Sequence, residues 1–102
     1  MANSGFDSEI GLARQTLDDK YLTAALEGCE ALPIIVPTLS GKMQLDAFLD
    51  LVDGVILTGD QSNIAPDAYG VVGNSQSHGP FDSQRDATAF YLVNAARKRK
   101  LP

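Results

Sequence analysis

Two short apolar runs constrain this chain more than any other feature: "LPIIVP" at residues 32–37 and "GVILTG" at 54–59. Each is rich in β-branched residues and bounded by Pro or Gly, the pattern of a strand buried on both faces, as parallel strands are. Between them, "KMQLDAFLDLVDG" places Leu45, Phe48, Leu49 and Val52 at three- and four-residue steps, which predicts an amphipathic helix ended by Gly54. Ahead of the first run, Leu17, Tyr21, Ala24, Ala25 and Leu26 follow helical spacing. Thr16 is the expected N-cap, Asp18 and Asp19 sit where the helix dipole favours acids, and the helix should end near Gly28. After the second run, "DSQRDATAFYLVNAARKRK" predicts a third helix capped by Asp82, with Ala89, Phe90, Val93 and Ala96 as its inner face. Tyr21 and Phe90 are expected in the core, and Leu101 and Pro102 as the lead into a further strand.

The order helix, strand, helix, strand, loop, helix argues for an α/β fold with a parallel sheet and right-handed crossovers. A length of 102 residues suits one small domain. Two strands cannot make a doubly wound sheet, because parallel pairs need cover on both faces and neighbours at both edges. The expectation is a partial sheet with flanking helices, cut from something larger. Residues 1–14 mix Gly, Ser, Asn and acids without a period and are expected as a flexible lead-in, with the domain portion at 15–102. No repeat or composition shift marks a second domain.

The hydrophobic share of 44% and the charged share of 21% are ordinary for a soluble globular chain. Net charge is -5, and Arg97, Lys98, Arg99 and Lys100 concentrate the cations at the end of one helix, where they complement its dipole. Nucleic-acid binding is therefore not expected. The sole cysteine, Cys29, cannot form an internal disulfide, which fits a cytoplasmic setting. No apolar run approaches the roughly 20 residues of a spanning helix, and the start "MANSGFDSEIG" lacks the marks of a signal peptide. Cys29 has no accompanying base pattern, so a packing role is expected over a nucleophilic one. His78 has no second His or Cys at ligand spacing and reads as a solvated loop residue, so neither a metal nor another cofactor is expected.

The stretch "LTGDQSNIAPDAYG" (57–70) opens a polar loop that continues to about Pro80, longer than an ordinary connection. In open α/β sheets ligands sit outside the carboxyl ends of the strands, and this loop leaves that edge. Gly59 lets the backbone turn sharply, Ser62 and Asn63 can fix the turn through side-chain bonds, and outward amides would stabilise an oxyanion. The plainer reading is that Gly59, Ser62, Asn63 and Pro66 simply make a loop. A phosphate cradle is the weaker alternative, since neither the Gly-x-Gly-x-x-Gly nor the Gly-Lys-Ser/Thr pattern occurs.

Four blocks taken in order, "QTLDDKYLTAALEGCEALPIIVP", "VDGVILTG", "SNIAPDAYG" and "RDATAFYLVNAARKRKLP", resemble the N-terminal half of the class I glutamine-amidotransferase-like hydrolases. Within them the chain is most similar to the peptidase C26 group, in particular to the gamma-glutamyl-gamma-aminobutyrate hydrolases of putrescine degradation. The resemblance covers about Gln15 to Pro102. It implies a flavodoxin-like sheet and a cysteine hydrolase that cleaves a gamma-glutamyl amide through a thioester, with a Cys, His and Glu triad. In that family the nucleophile follows the strand that would start at "KLP", so none of the three catalytic side chains falls within these residues. An N-terminal strand that the family places before the first helix is missing here or replaced by "MANSGFDSEIG".

Carried over by position, the backbone around Gly59 and Asp60 supplies an oxyanion-hole donor, although the family commonly has a small residue or Gly where Asp60 stands. Ser62, Asn63, Pro66 and Tyr69 match the family's loop signature and shape the substrate mouth. Arg85 and Asp86 match an "RD" for which a local ion pair or cap suffices. The implied ligand is a small-molecule gamma-glutamyl amide, bound once the fold is completed. Alone, the chain is expected to self-associate or to be complemented by the missing half. The competing expectations are a catalytically empty remnant that binds a partner, and an unrelated nucleotide-binding module.

Overall fold

Asp82 begins the longest element of the molecule. In the computed structural model, which describes residues 3–7, 11–39, 41, 44–70 and 80–102, the Asp82 carboxylate accepts a hydrogen bond from the Arg85 N–H at 2.9 Å. That bond satisfies one of the open donors of helix α3 (Ser83–Arg99). The other end closes with Lys100 in the left-handed region (φ 57°). Lys100 N–H bonds the Arg97 carbonyl at 3.1 Å and Leu101 N–H bonds the Ala96 carbonyl at 3.0 Å. This pair of bonds is the Schellman pattern, formed here without the usual glycine.

The core lies between α3 and the short helix α2 (Leu45–Leu49). Leu45, Leu49 and Leu92 are buried together, with Val36, Phe48, Val52, Val55, Ala89, Ala95 and Leu101 packed around them. Leu45, Phe48, Leu49 and Val52 thus all face inward as their spacing predicts. The helix is shorter than that spacing suggests and gives way to a turn at Asp50, well before Gly54. Outside the core, the Arg99 guanidinium ties α3 to Asp50 and, at 3.3 Å, to Asp46. The Tyr91 hydroxyl donates to Asp46 at 2.5 Å, and this bond to a carboxylate holds the phenol's pKa above its usual value.

On α3 the buried positions are Asp86, Thr88, Leu92 and Ala96. Phe90 and Val93 are 42% and 38% exposed, so the expected inner face is partly wrong. The stripe that meets α2 runs through Ala89, Leu92, Ala95 and Ala96, while Phe90 and Val93 belong to the neighbouring stripe.

The start of the chain is also a correction. Instead of a lead-in without structure, strands β1 (Asn3–Asp7) and β2 (Leu12–Thr16) form an antiparallel hairpin that pairs Asn3 with Thr16 and Asp7 with Leu12. Gly11, at φ +68°, supplies a backbone conformation that L side chains rarely adopt. The hairpin is pinned through Gln15, whose Oε1 accepts from the Thr38 N–H at 2.9 Å and the Thr38 hydroxyl at 2.7 Å. Thr16, the expected cap, lies inside β2, and helix α1 (Asp19–Thr23) begins after Asp18. A π-helical turn, Ala24–Gly28, then ends the first helical stretch at Gly28, as expected. Cys29 follows on the surface: it is exposed, which overturns its packing role.

Neither apolar run is a strand, and the two form no ladder with each other among the described residues. Val36 and Val55 point into the core, whereas Ile34, Ile35, Ile56 and Leu57 remain exposed, so neither run is buried on both faces. A ladder forms only where a second strand lies alongside in register. A single backbone bond joins the second run to residue 102: the Val55 N–H donates to the Pro102 carbonyl at 2.9 Å. Gly54 permits this approach, since a Cβ there would lie 3.2 Å from the Pro102 oxygen. Among the described residues no helix is long and apolar enough to cross a membrane.

Candidate functional site

The loop that follows the second run is tied down residue by residue. Thr58, buried at 6% exposure, is the last residue before the backbone emerges. Its carbonyl accepts a hydrogen bond from the Arg85 guanidinium. The next carbonyl, that of Gly59, accepts from the Tyr21 hydroxyl at 3.2 Å. A Cβ at Gly59 would lie 3.0 Å from that same hydroxyl oxygen, so the position is cramped, and it is this close approach rather than a left-handed turn that glycine serves here.

Asp60 does not extend its carboxylate outward. Its Oδ2 accepts from the Ser62 hydroxyl at 2.5 Å and the Ser62 N–H at 3.2 Å, a local turn of the kind short acidic side chains make with the backbone two residues on. Burial pushes the Asp60 pKa up, but the two bonds from Ser62, one from the Gln61 amide and the nearby Arg85 charge outweigh it. The net result is a carboxyl held below its ordinary value.

Asn63 stands at the loop's base, where its N–H bonds the Pro80 carbonyl at 2.9 Å and a parallel bridge joins it to Phe81. The Ala65 N–H then reaches Asp86 Oδ2 at 3.1 Å. Pro66 is buried and opens a 3₁₀ turn, Pro66–Tyr69, a first-turn role that suits a residue without an N–H. Of Tyr69 only the backbone is described. His78 lies outside the described residues.

Asp60 and Ser62 are thus brought together in one hydrogen-bonded turn next to Gly59, with Asn63 and Pro66 holding the segment that follows. Arg85 and Asp86 serve more than their own helix, since both reach across to the loop, to Thr58 and Ala65 respectively. Asp86 is 8% exposed, and its bond to an amide N–H compensates for placing a carboxylate there. Tyr21, read from its spacing as core, is half-buried and serves the loop through its hydroxyl. Among the described residues no three His, Cys, Asp or Glu side chains gather to hold a metal ion.

The family model described as Peptidase C26 matches residues 5–102. The chain belongs to the Peptidase C26 family. Curated relatives include the gamma-glutamyl-gamma-aminobutyrate hydrolase of Escherichia coli O157:H7, 38% identical over 93 residues. Gamma-glutamyl-gamma-aminobutyrate hydrolase PuuD of Escherichia coli strain K12 and the enzyme of the same name from Shigella sonnei strain Ss046 are each 37% identical over 93 residues. Each alignment covers 90% of this chain and 35% of the relative, so the chain spans about a third of the length of the curated relatives it matches. The Peptidase C26 match begins at residue 5, within β1.

Proposed function

We propose that this chain is the N-terminal portion of a cysteine hydrolase that cleaves gamma-glutamyl amides, with gamma-glutamyl-gamma-aminobutyrate as the model substrate and polyamine catabolism in the cytoplasm as the setting. The Gly59–Asp60 backbone serves as the oxyanion donor, and Ser62, Asn63, Pro66 and Tyr69 shape the substrate mouth. The nucleophile, base and carboxylate belong to the part of the fold that completes a flavodoxin-like parallel sheet.

One observation carries this reading: the Val55 N–H bonds the Pro102 carbonyl at 2.9 Å. A strand continuing from Pro102 alongside residues 55–59 would advance roughly 3.3 Å per residue and draw level with Gly59 within four or five residues. A nucleophile on the turn after that strand would then meet the loop's amides, as oxyanion chemistry requires.

The test is hydrolysis of gamma-glutamyl-gamma-aminobutyrate by the complete protein and by these 102 residues alone. Turnover by the complete protein and none by the isolated chain is expected. Turnover by the isolated chain that disappears in Cys29→Ala would overturn the assignment. Ligand binding by the complete protein without turnover would favour a catalytically empty remnant.

A further inference from the structure

Peptide groups are planar and almost always trans, so each N–H points opposite to the C=O of the residue before it. Fixing a carbonyl therefore fixes the next residue's N–H. In this loop two consecutive carbonyls are held by side chains from outside it: Thr58 by the Arg85 guanidinium and Gly59 by the Tyr21 hydroxyl at 3.2 Å. Arg85 projects from the first turn of α3 and Tyr21 from α1, so two separate elements converge on two adjacent peptide planes. Gly59 itself offers no resistance to rotation, because a residue without Cβ populates both signs of φ with similar ease. The Asp60 side chain is engaged with Ser62.

We propose that Tyr21 and Arg85 are positioning residues that set the directions of the Gly59 and Asp60 N–H groups and prevent the two peptides from flipping. The proposal rests on the hydrolase reading given above. Neither residue touches the reacting atoms. Each acts through the carbonyl it holds, so that the donors are in place before negative charge develops on the substrate oxygen. Preorganised donors contribute far more to an oxyanion than donors that must first reorient.

The experiment compares Tyr21→Phe, Arg85→Met and Arg85→Lys in the complete protein. Tyr21→Phe removes only a hydroxyl, and the Arg85 substitutions leave its backbone N–H free to bond Asp82. For Tyr21→Phe and Arg85→Met, kcat on gamma-glutamyl-gamma-aminobutyrate should fall about tenfold or more with KM within about twofold of wild type, and Arg85→Lys should recover part of the loss. Amide relaxation dispersion supplies a readout independent of turnover: flat profiles at Gly59 and Asp60 in the wild type, and microsecond-to-millisecond exchange in the variants. Unchanged kcat together with flat profiles in both Tyr21→Phe and Arg85→Met would overturn the proposal, as would a loss confined to KM. Exchange that appears in the variants of a protein whose wild type hydrolyses no gamma-glutamyl amide would support the orienting role and refute the hydrolase reading.

Discussion

Asp60 brings a negative charge into the stretch where the proposed chemistry would develop another, and Ser62 turns that charge back onto its own loop. Hydrogen bonds to the ionised form outweigh desolvation there, so the folded pKa lies below the ordinary carboxyl value of 3.8. A depressed folded pKa contributes stability that is present above the unfolded value and lost as pH falls through the folded one. The Asp60–Ser62 turn should accordingly persist throughout the neutral range and loosen only in acid below about pH 4. A carboxyl carbon NMR titration should place the Asp60 midpoint below 3.8, and Ser62→Ala should move it upward. A midpoint at or above that value in the wild type would show that the turn does not form in solution. The turn itself was legible in the residue types, since Gly, Asp, Ser and Asn mark such a conformation. Tyr21 was not: its hydroxyl meets a carbonyl 38 residues away, and helical spacing gives the same apolar reading whether or not a tyrosine has a polar partner.

Among the elements, α3 carries the most, because its first turn holds the loop while Leu92 near its middle closes the core on α2. Leu92 is 2% exposed, and truncating a leucine so placed removes its transfer energy and leaves a cavity. Leu92→Ala should cost about 3 kcal/mol, read as a lower urea midpoint of the complete protein. A loss under about 1 kcal/mol would mean that the α2–α3 contact is not a core in solution. Helix periodicity located α2 and α3, and Asp82 identified the start of α3. It could not choose between two adjacent apolar stripes on α3, because Ala89, Phe90, Leu92, Val93 and Ala96 offer both, and only the position of α2 decides between them. The hairpin left no such trace: the described side chains of β2 are mostly exposed, so no apolar alternation marks it.

At the scale of the whole molecule, a small core coexists with exposed Leu32, Ile34, Ile35, Ile56 and Leu57, the last of these only two residues before Gly59. Apolar strand-forming segments left uncovered favour association, and a net charge of -5 opposes it only weakly at physiological salt. Sedimentation velocity on the isolated chain should show species that grow with concentration. A dilute monomer with one cooperative unfolding transition would contradict this. The two apolar runs read as buried strands in the sequence, whereas in the structure neither pairs with the other and most of their apolar side chains stay exposed; a ladder is a property of neighbours, and sequence spacing says nothing about which neighbours are present. The base of the loop has a different consequence. Asn63 is clasped to Pro80 and Phe81, so the chain leaves and returns at one point, while Thr58 to Ser62 are held independently by Arg85, Tyr21 and Asp60. The Thr58–Ser62 turn is therefore anchored apart from whatever the chain does between Asn63 and Pro80, so a change in that span's length need not move the turn.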